Sequence, residues 1–351
     1  LRVLRERELK DVVYGSTLLG SGGGGSPENG IQLVKSILEG AGEVKLVKPE
    51  EVPDYSMVCV VAGMGAPEAL LKRGWENEDV PALKLIEQTT GKTMDYTVAV
   101  ETGGFNSLTP LHAAAANGIA AIDGAGIERA IPQLEMTMFH VHNIPIAPVT
   151  LADASGNFAV LYPKDPPMAE TMARGITVAF GMKAGLACHP MAGWQLKKSV
   201  IPGTCTRAEE VGKSMREAVE KGQDPVNAVV KTTKGYEIAR GTVKEKTVET
   251  RGGFDYGKVT VADVRVDYKN ENMIAWKAGK PIVISPDLTC WMTTDGKPLT
   301  NADIKKGMEV AVIGIKAHER WRTPEGLVVY QPVLAEMGYT EKYVPVEQLQ
   351  K

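Results

Sequence analysis

Met57-Val-Cys-Val-Val-Ala62, running straight into Gly63-Met-Gly65-Ala-Pro67, is the stretch that decides the fold. A short unbroken apolar run that stops at glycine and proline predicts a strand buried on both faces. Two further segments have the same form. Thr97–Val100 runs into Glu101-Thr-Gly-Gly104, and Ile119–Ile122 runs into Asp123-Gly-Ala-Gly126. Helical patterns fill the spaces between them, at Glu6–Leu19, Ile31–Leu38, Pro81–Thr89 and the alanine-rich Leu108–Ala116. Strands alternating with helices make parallel βαβ units, so a three-layer α/β/α domain is expected over residues 1–165. Pro148–Tyr162, broken at Ala154-Ser-Gly156, reads as a hairpin closing that domain.

The proline cluster Pro163-Lys-Asp-Pro-Pro167 marks the expected boundary. Residues 166–351 should be helical to about residue 235, with Arg207–Glu220 and Pro225–Lys231 as the clear helices. From Tyr236 the texture changes to alternating polar and β-branched residues, as in Gly241–Glu249, Lys258–Tyr268 and Met308–Ile315. Turn signals recur at Arg251-Gly-Gly253, Lys269-Asn270 and Asp295-Gly296, so a β-rich barrel- or sandwich-like module is expected there.

The chain of 351 residues carries 40 basic and 43 acidic side chains, for a net charge of -3. That balance argues against a nucleic-acid-coating protein, which needs a basic excess to displace counterions. No apolar run approaches the roughly 20 residues that span a bilayer, so no membrane partner is expected. Four scattered cysteines without a C-x-x-C pair, and a charged amphipathic start, fit a reducing cytoplasmic setting. An edge-bearing sheet is compatible with a homodimer.

In an open α/β sheet, ligands bind where the carboxyl ends of the strands meet. Glu101 and Asp123 stand at two such ends. Two acids in one low-dielectric crevice take different proton affinities and serve as acid and base. The competing reading is that each caps the helix that follows it. Gly22, Gly23 and Gly24, within Gly20-Ser-Gly-Gly-Gly-Gly25, are expected to approach a ligand, as are Gly65, Gly103 and Gly104. The glycine run lacks the Lys-Ser/Thr of a P-loop, and it follows a helix where a dinucleotide fingerprint would follow a strand. A flexible connection is its alternative reading. Asn106 could read a polar ligand, and Arg129 could clamp one or pair with an acid. His140-Val-His142, if extended, points both rings to one face and, with a carboxylate such as Asp123 or Glu135, would form an open site for a divalent metal such as zinc, the alternative being a pair that binds no metal. Cys188-His189 and Cys205 read as buried packing rather than reactive thiols.

Several of these segments, in this order, resemble a known family. They are Gly20–Gly25, Glu101-Thr-Gly-Gly-Phe-Asn-Ser-Leu108, Asp123-Gly-Ala-Gly-Ile-Glu-Arg-Ala-Ile-Pro132, Ile201-Pro-Gly-Thr204 and Trp321-Arg-Thr-Pro-Glu-Gly-Leu327. The set is similar to the S-methyl thiohydantoin desulfurase family, which is often found beside hydantoinase/oxoprolinase proteins. The chain has Ala125 where the family motif usually carries a second Asp, and Glu128 where it tends to have Gly. The resemblance implies hydrolysis of a five-membered cyclic imide or thioimide, with water attack at a ring carbon and loss of a thiol. The rival readings are a non-catalytic partner subunit of a hydantoinase/oxoprolinase assembly and a small-molecule binding protein.

Overall fold

Burial in the strand Met57–Gly65 (β3) follows the two-residue period of a strand. Cys59 and Val61 pack on one face of a sheet, and Val58, Val60 and Ala62 pack on the other. The first face is covered by helix α3 (Asp79–Thr90) and Ala113 of helix α4 (Leu108–Ala116). The second is covered by Ala169 and Ala173 of α6 (Pro166–Ala179) and Leu196 of α7 (Gly193–Ser199). This is the three-layer α/β/α arrangement predicted from the apolar runs. The structure, a computed structural model, describes residues 1–65, 70 and 73–351.

Four parallel strands form the centre of the first sheet: β2 (Val44–Val47), β5 (Ala120–Ala125), β4 (Tyr96–Ala99) and β3, in that order. Strand β1 (Arg2–Leu4) joins antiparallel at one edge. On the other side stand β8 (Lys183–Ala192), β6 (Val149–Ala152) and β7 (Phe158–Leu161), all antiparallel. Strands β6 and β7 are the expected hairpin. The expected helical stretch after residue 165 therefore hides a strand: β8 inserts between β3 and β6. The loop expected at Gly63–Pro67 starts later than the glycines suggest. Gly63 and Gly65 still pair with β8, and Ala66 and Pro67 lie outside the described residues.

The second sheet has eight antiparallel strands. They are β10 (Tyr236–Arg251), β11 (Phe254–Val261), β12 (Val264–Lys269), β13 (Glu271–Lys277), β14 (Lys280–Ile284), β15 (Leu288–Thr293), β16 (Pro298–Leu299) and β17 (Glu309–Ile315). Their order is β14-β13-β12-β11-β10-β17-β15-β16. The expected β-rich module is present, but it is not a closed barrel. The long β10, bulged near Glu237 and Val243, bends the sheet over a core that includes Val259, Val266, Trp291 and Val312. The ends β14 and β16 are not hydrogen-bonded to each other in that order. Bulges raise the local twist, which lets one sheet fold into two facing halves.

Helix α1 (Glu6–Leu19) and helix α8 (Thr204–Glu220) cross at close range. From the end of α1 the glycine run passes between the two sheets before α2 (Pro27–Gly40) begins. Ser21 O accepts from Asn272 N at 2.8 Å, and Gly22 O accepts from Asn301 N at 2.8 Å. The run is thus pinned to the second sheet and is not a loose connection.

Candidate functional site

The glycine run lies against the turn that follows β4. Gly24 O accepts the N–H groups of Phe105 at 3.0 Å and Asn106 at 3.2 Å. Gly24 has φ +77°, and a side chain there would overlap the backbone of Gly103, while one on Gly103 would overlap Gly24. Both positions need glycine because two backbones meet there. Gly104 is packed the same way against Thr17 and Gly25. This stacking holds Glu101 at the end of β4.

Glu101 is 6% exposed. Its Oε1 accepts from Asn106 Nδ2 at 2.7 Å, and its Oε2 accepts from Ile131 N at 2.8 Å. Asn106 Oδ1 accepts from Gly63 N at 3.0 Å, so one amide ties the ends of β3 and β4 together. Burial pushes the Glu101 carboxyl up to about 7. The hydrogen bonds from Asn106 and Ile131 oppose that, the charge of Glu170 adds to it, and Arg129 opposes it.

A second buried carboxyl near Glu101 is Glu271, at the start of β13. Glu271 is 5% exposed, and its carboxyl occupies the space where a side chain on Gly23 would sit. Burial and then the charge of Glu101 raise it well above the ordinary carboxyl range, against the pull of Arg129 and Arg174. Among the described residues its Oε2 has no hydrogen-bond partner. Glu170, buried on α6 and paired to Arg174, lies close enough to act on Glu101. The only hint of Glu271 in the sequence is its place after the Lys269-Asn270 turn.

Arg129 is fully buried and, among the described residues, clamps no carboxylate within salt-bridge distance. It donates to Asn272 O at 2.5 Å, Ser285 Oγ at 2.7 Å, Asp287 O at 3.2 Å and Ala130 O at 3.2 Å. It therefore ties the turn after β5 to the second sheet, and its charge lies near both acids.

Three expected site features are placed elsewhere. Asp123 falls inside β5 because β9 (Ile201–Pro202) pairs with Gly124 and Ala125 and prolongs the strand. Its carboxylate accepts from Thr206 N at 3.0 Å and from the Thr206 hydroxyl. It caps the first turn of α8, the role a carboxylate performs well at a helix N-terminus. His140 and His142 lie in and just after a one-turn helix, α5 (Met138–Val141), begun by the Thr137 side chain. Two residues apart on a helix, they point away from each other. Among the described residues no group of three His, Cys, Asp or Glu side chains is arranged to hold a metal. Gly65 packs against Met182 O and Lys183 in β8, not against the acids. The cysteines are buried as expected: burial pushes the thiols of Cys188 and Cys205 up, and the His189 ring is lowered to about 4.

The S-Me-THD-like N-terminal domain matches residues 7–163, and the S-Me-THD-like C-terminal domain matches residues 164–346. The chain belongs to the S-Me-THD-like family. A crystal structure of a Chromobacterium violaceum protein, a structural-genomics target, superposes on this S-Me-THD-like chain with a TM-score of 0.86 at 26% identity. The match covers 99% of this chain and 100% of that one. Among curated proteins no relative matches. Among the described residues no helix is long and apolar enough to cross a membrane.

The raised Glu101 carboxyl gives a stability prediction. A carboxyl held above its unfolded value binds its proton more tightly in the folded state. Stability is then full below about 4.5 and declines as the pH rises through about 7. The expected decline from this one group is on the order of 3 kcal/mol. Urea titrations at pH 4.5 and pH 8 should show Glu101→Gln gaining on the wild type at the higher pH. An equal difference at both values would contradict the burial argument.

Proposed function

We propose that the chain hydrolyses a small five-membered cyclic imide or thioimide of the S-methyl thiohydantoin type. The observation that carries this reading is the Glu101–Glu271 pair. Two buried carboxyls from different sheets hold their protons with unequal strength, as acid–base chemistry at one carbon requires. Membership of the S-Me-THD-like family supports the substrate class.

Glu101, the first of the two to ionise, acts as the base. It takes one proton of a water while the water oxygen bonds to the ring carbon that bears the methylthio group. The C=N electron pair moves to nitrogen, which takes the proton of Glu271. Backbone N–H groups of the glycine turns stabilise charge on the attacking oxygen. The adduct hydroxyl then returns its proton to Glu271 as the C=O bond forms. The C–S bond breaks, and the thiolate leaves with the proton that Glu101 had taken. Among the described residues His140 and His142 have no third His, Cys, Asp or Glu arranged beside them, and the steps here are assigned to the chain's own residues.

The test is a turnover screen of hydantoins, thiohydantoins and S-methyl thiohydantoins, with and without divalent metal, read as thiol release. Conversion of the S-methyl compounds is expected. Tight binding without conversion would replace the enzyme by a binding protein.

A further inference from the structure

A cavity of about 740 Å³ lies away from the carboxyl pair. It lies beside α2, α3 and α4, and its lining includes Ser36 and His112. These two residues form a chain with a third. Ser36 Oγ is 3.0 Å from His112 Nε2, and His112 Nδ1 is 2.7 Å from Asp79 Oδ2. Asp79 is fully buried, and its other oxygen accepts from Trp75 Nε1 at 2.7 Å. The three residues come from three helices and are far apart in the sequence.

The hydrogen bonds fix the direction of the chain. A carboxylate only accepts, so Nδ1 carries the ring hydrogen and Nε2 is left as an acceptor. The single Ser36 hydroxyl hydrogen therefore points to His112. Ser36 Oγ is also 3.2 Å from Asn77 Oδ1, an acceptor that competes with His112 for the same hydroxyl hydrogen. When the hydroxyl hydrogen is given to His112, turning the Asn77 amide end for end brings its NH₂ to Oγ, since amide ends are assigned by their partners. Asn77 is held there with a left-handed backbone, φ +68°. Other hydroxyls on helices of this chain turn inward: Thr89, Thr90 and Thr233 each donate to the carbonyl four residues earlier. Ser36 instead reaches across to another helix and lines the cavity.

We propose that Ser36, His112 and Asp79 form a second, serine-nucleophile site that cleaves uncharged or cationic acyl esters bound in this cavity. Ile37, Val80, Pro81 and Phe158 give the acyl chain an apolar wall, while Glu76 and Asp153 line the cavity and disfavour an anion. Ser36 Oγ bonds to the ester carbonyl carbon as its proton passes to His112 Nε2. Asn77, with its amide turned end for end, presents Nδ2 as a donor for the resulting oxyanion. Collapse breaks the ester C–O bond, and the alcohol leaves with the proton from His112. Water then attacks the acyl-serine, giving one proton to His112, which returns it to Ser36 as the carboxylic acid departs. Asp79 orients the ring throughout.

The test treats the full chain with a fluorophosphonate bearing an uncharged tail, followed by intact mass and peptide mapping. Attack forms an O–P bond and expels fluoride, with the hydroxyl proton taken by His112. One adduct is expected, on Ser36. It should be absent from Ser36→Ala, and it should form about 10²–10⁴-fold more slowly in His112→Gln and Asp79→Asn. Ser214→Ala, on the outer part of α8, should label like the wild type. A fluorophosphonate with a carboxylate tail should react more slowly than the uncharged one. No adduct, an adduct on another serine, or His112→Gln labelling at the wild-type rate would overturn the nucleophile assignment. Faster reaction of the anionic probe would overturn the substrate class. The wild-type map decides the matter even if a variant fails to fold.

Discussion

Glu271→Gln is expected to lower thiol release from an S-methyl thiohydantoin by about 10²–10⁴-fold. The substitution keeps shape and volume and removes only the transferable proton. Glu271 sits well above the ordinary carboxyl range because burial and the neighbouring charge of Glu101 disfavour its ionised form. Its surroundings favour the protonated, neutral form, so a neutral amide is a fair packing substitute. The melting temperature should hold or rise while turnover falls, a separation that simple unfolding does not produce. Glu101→Gln should lose turnover to a similar degree for the opposite reason, because the base is gone. The wild-type rate should climb as the pH rises through about 7, where Glu101 ionises, and that climb should vanish in Glu101→Gln. Thiol release by Glu271→Gln that matches the wild type across the pH range would remove this residue from the chemistry.

The partner of Glu101 was the part of the site the sequence concealed. Glu101 is legible because an apolar run ends at it and a glycine turn follows, which is a local pattern. Glu271 reaches it from another sheet, and no spacing rule connects residues 101 and 271. Strand β8 was hidden for the same reason: it is placed by antiparallel pairing with Met57–Gly65, a contact remote in sequence. Asp123 looked like a strand-end acid because Gly124 and Gly126 imitate a loop. Pairing with Ile201–Pro202 carried the strand through Gly124 to Ala125 and gave the carboxylate to a helix. The His140–His142 reading assumed the period of a strand. Thr137 starts a helical turn, so a separation of two residues meant opposite sides rather than one face. The S-Me-THD-like family could be recognised because its ordered set of glycine turns is written in the chain directly. Those turns form contacts in which backbone meets backbone.

Such contacts underlie the largest expected loss of stability. Gly212→Ala, on α8, should destabilise the fold by about 3 kcal/mol. A methyl group there would overlap the carbonyl oxygen of Asp11 on α1. One on Gly15 would overlap the carbonyl oxygen of Ala208. Both obstacles are backbone atoms within regular helices, so no rotamer change relieves them and the helices must separate. Separation would loosen Leu9, Val12 and Val13 in the core. It would also stretch the two-pronged Arg216–Asp11 pair, now at 2.9 and 2.8 Å. Helix propensity alone predicts the reverse, since alanine is favoured over glycine in a helix by roughly 1 kcal/mol. Gly175 provides the comparison. It lies on the exposed face of α6 with no atom near the position of a Cβ, so Gly175→Ala should stabilise the protein by about 0.5–1 kcal/mol. The same chemical change should therefore move the urea midpoint in opposite directions at the two sites. A Gly212→Ala midpoint at or above the wild type would show that α1 and α8 do not pack backbone to backbone, and Arg216 would then lose its reach to Asp11.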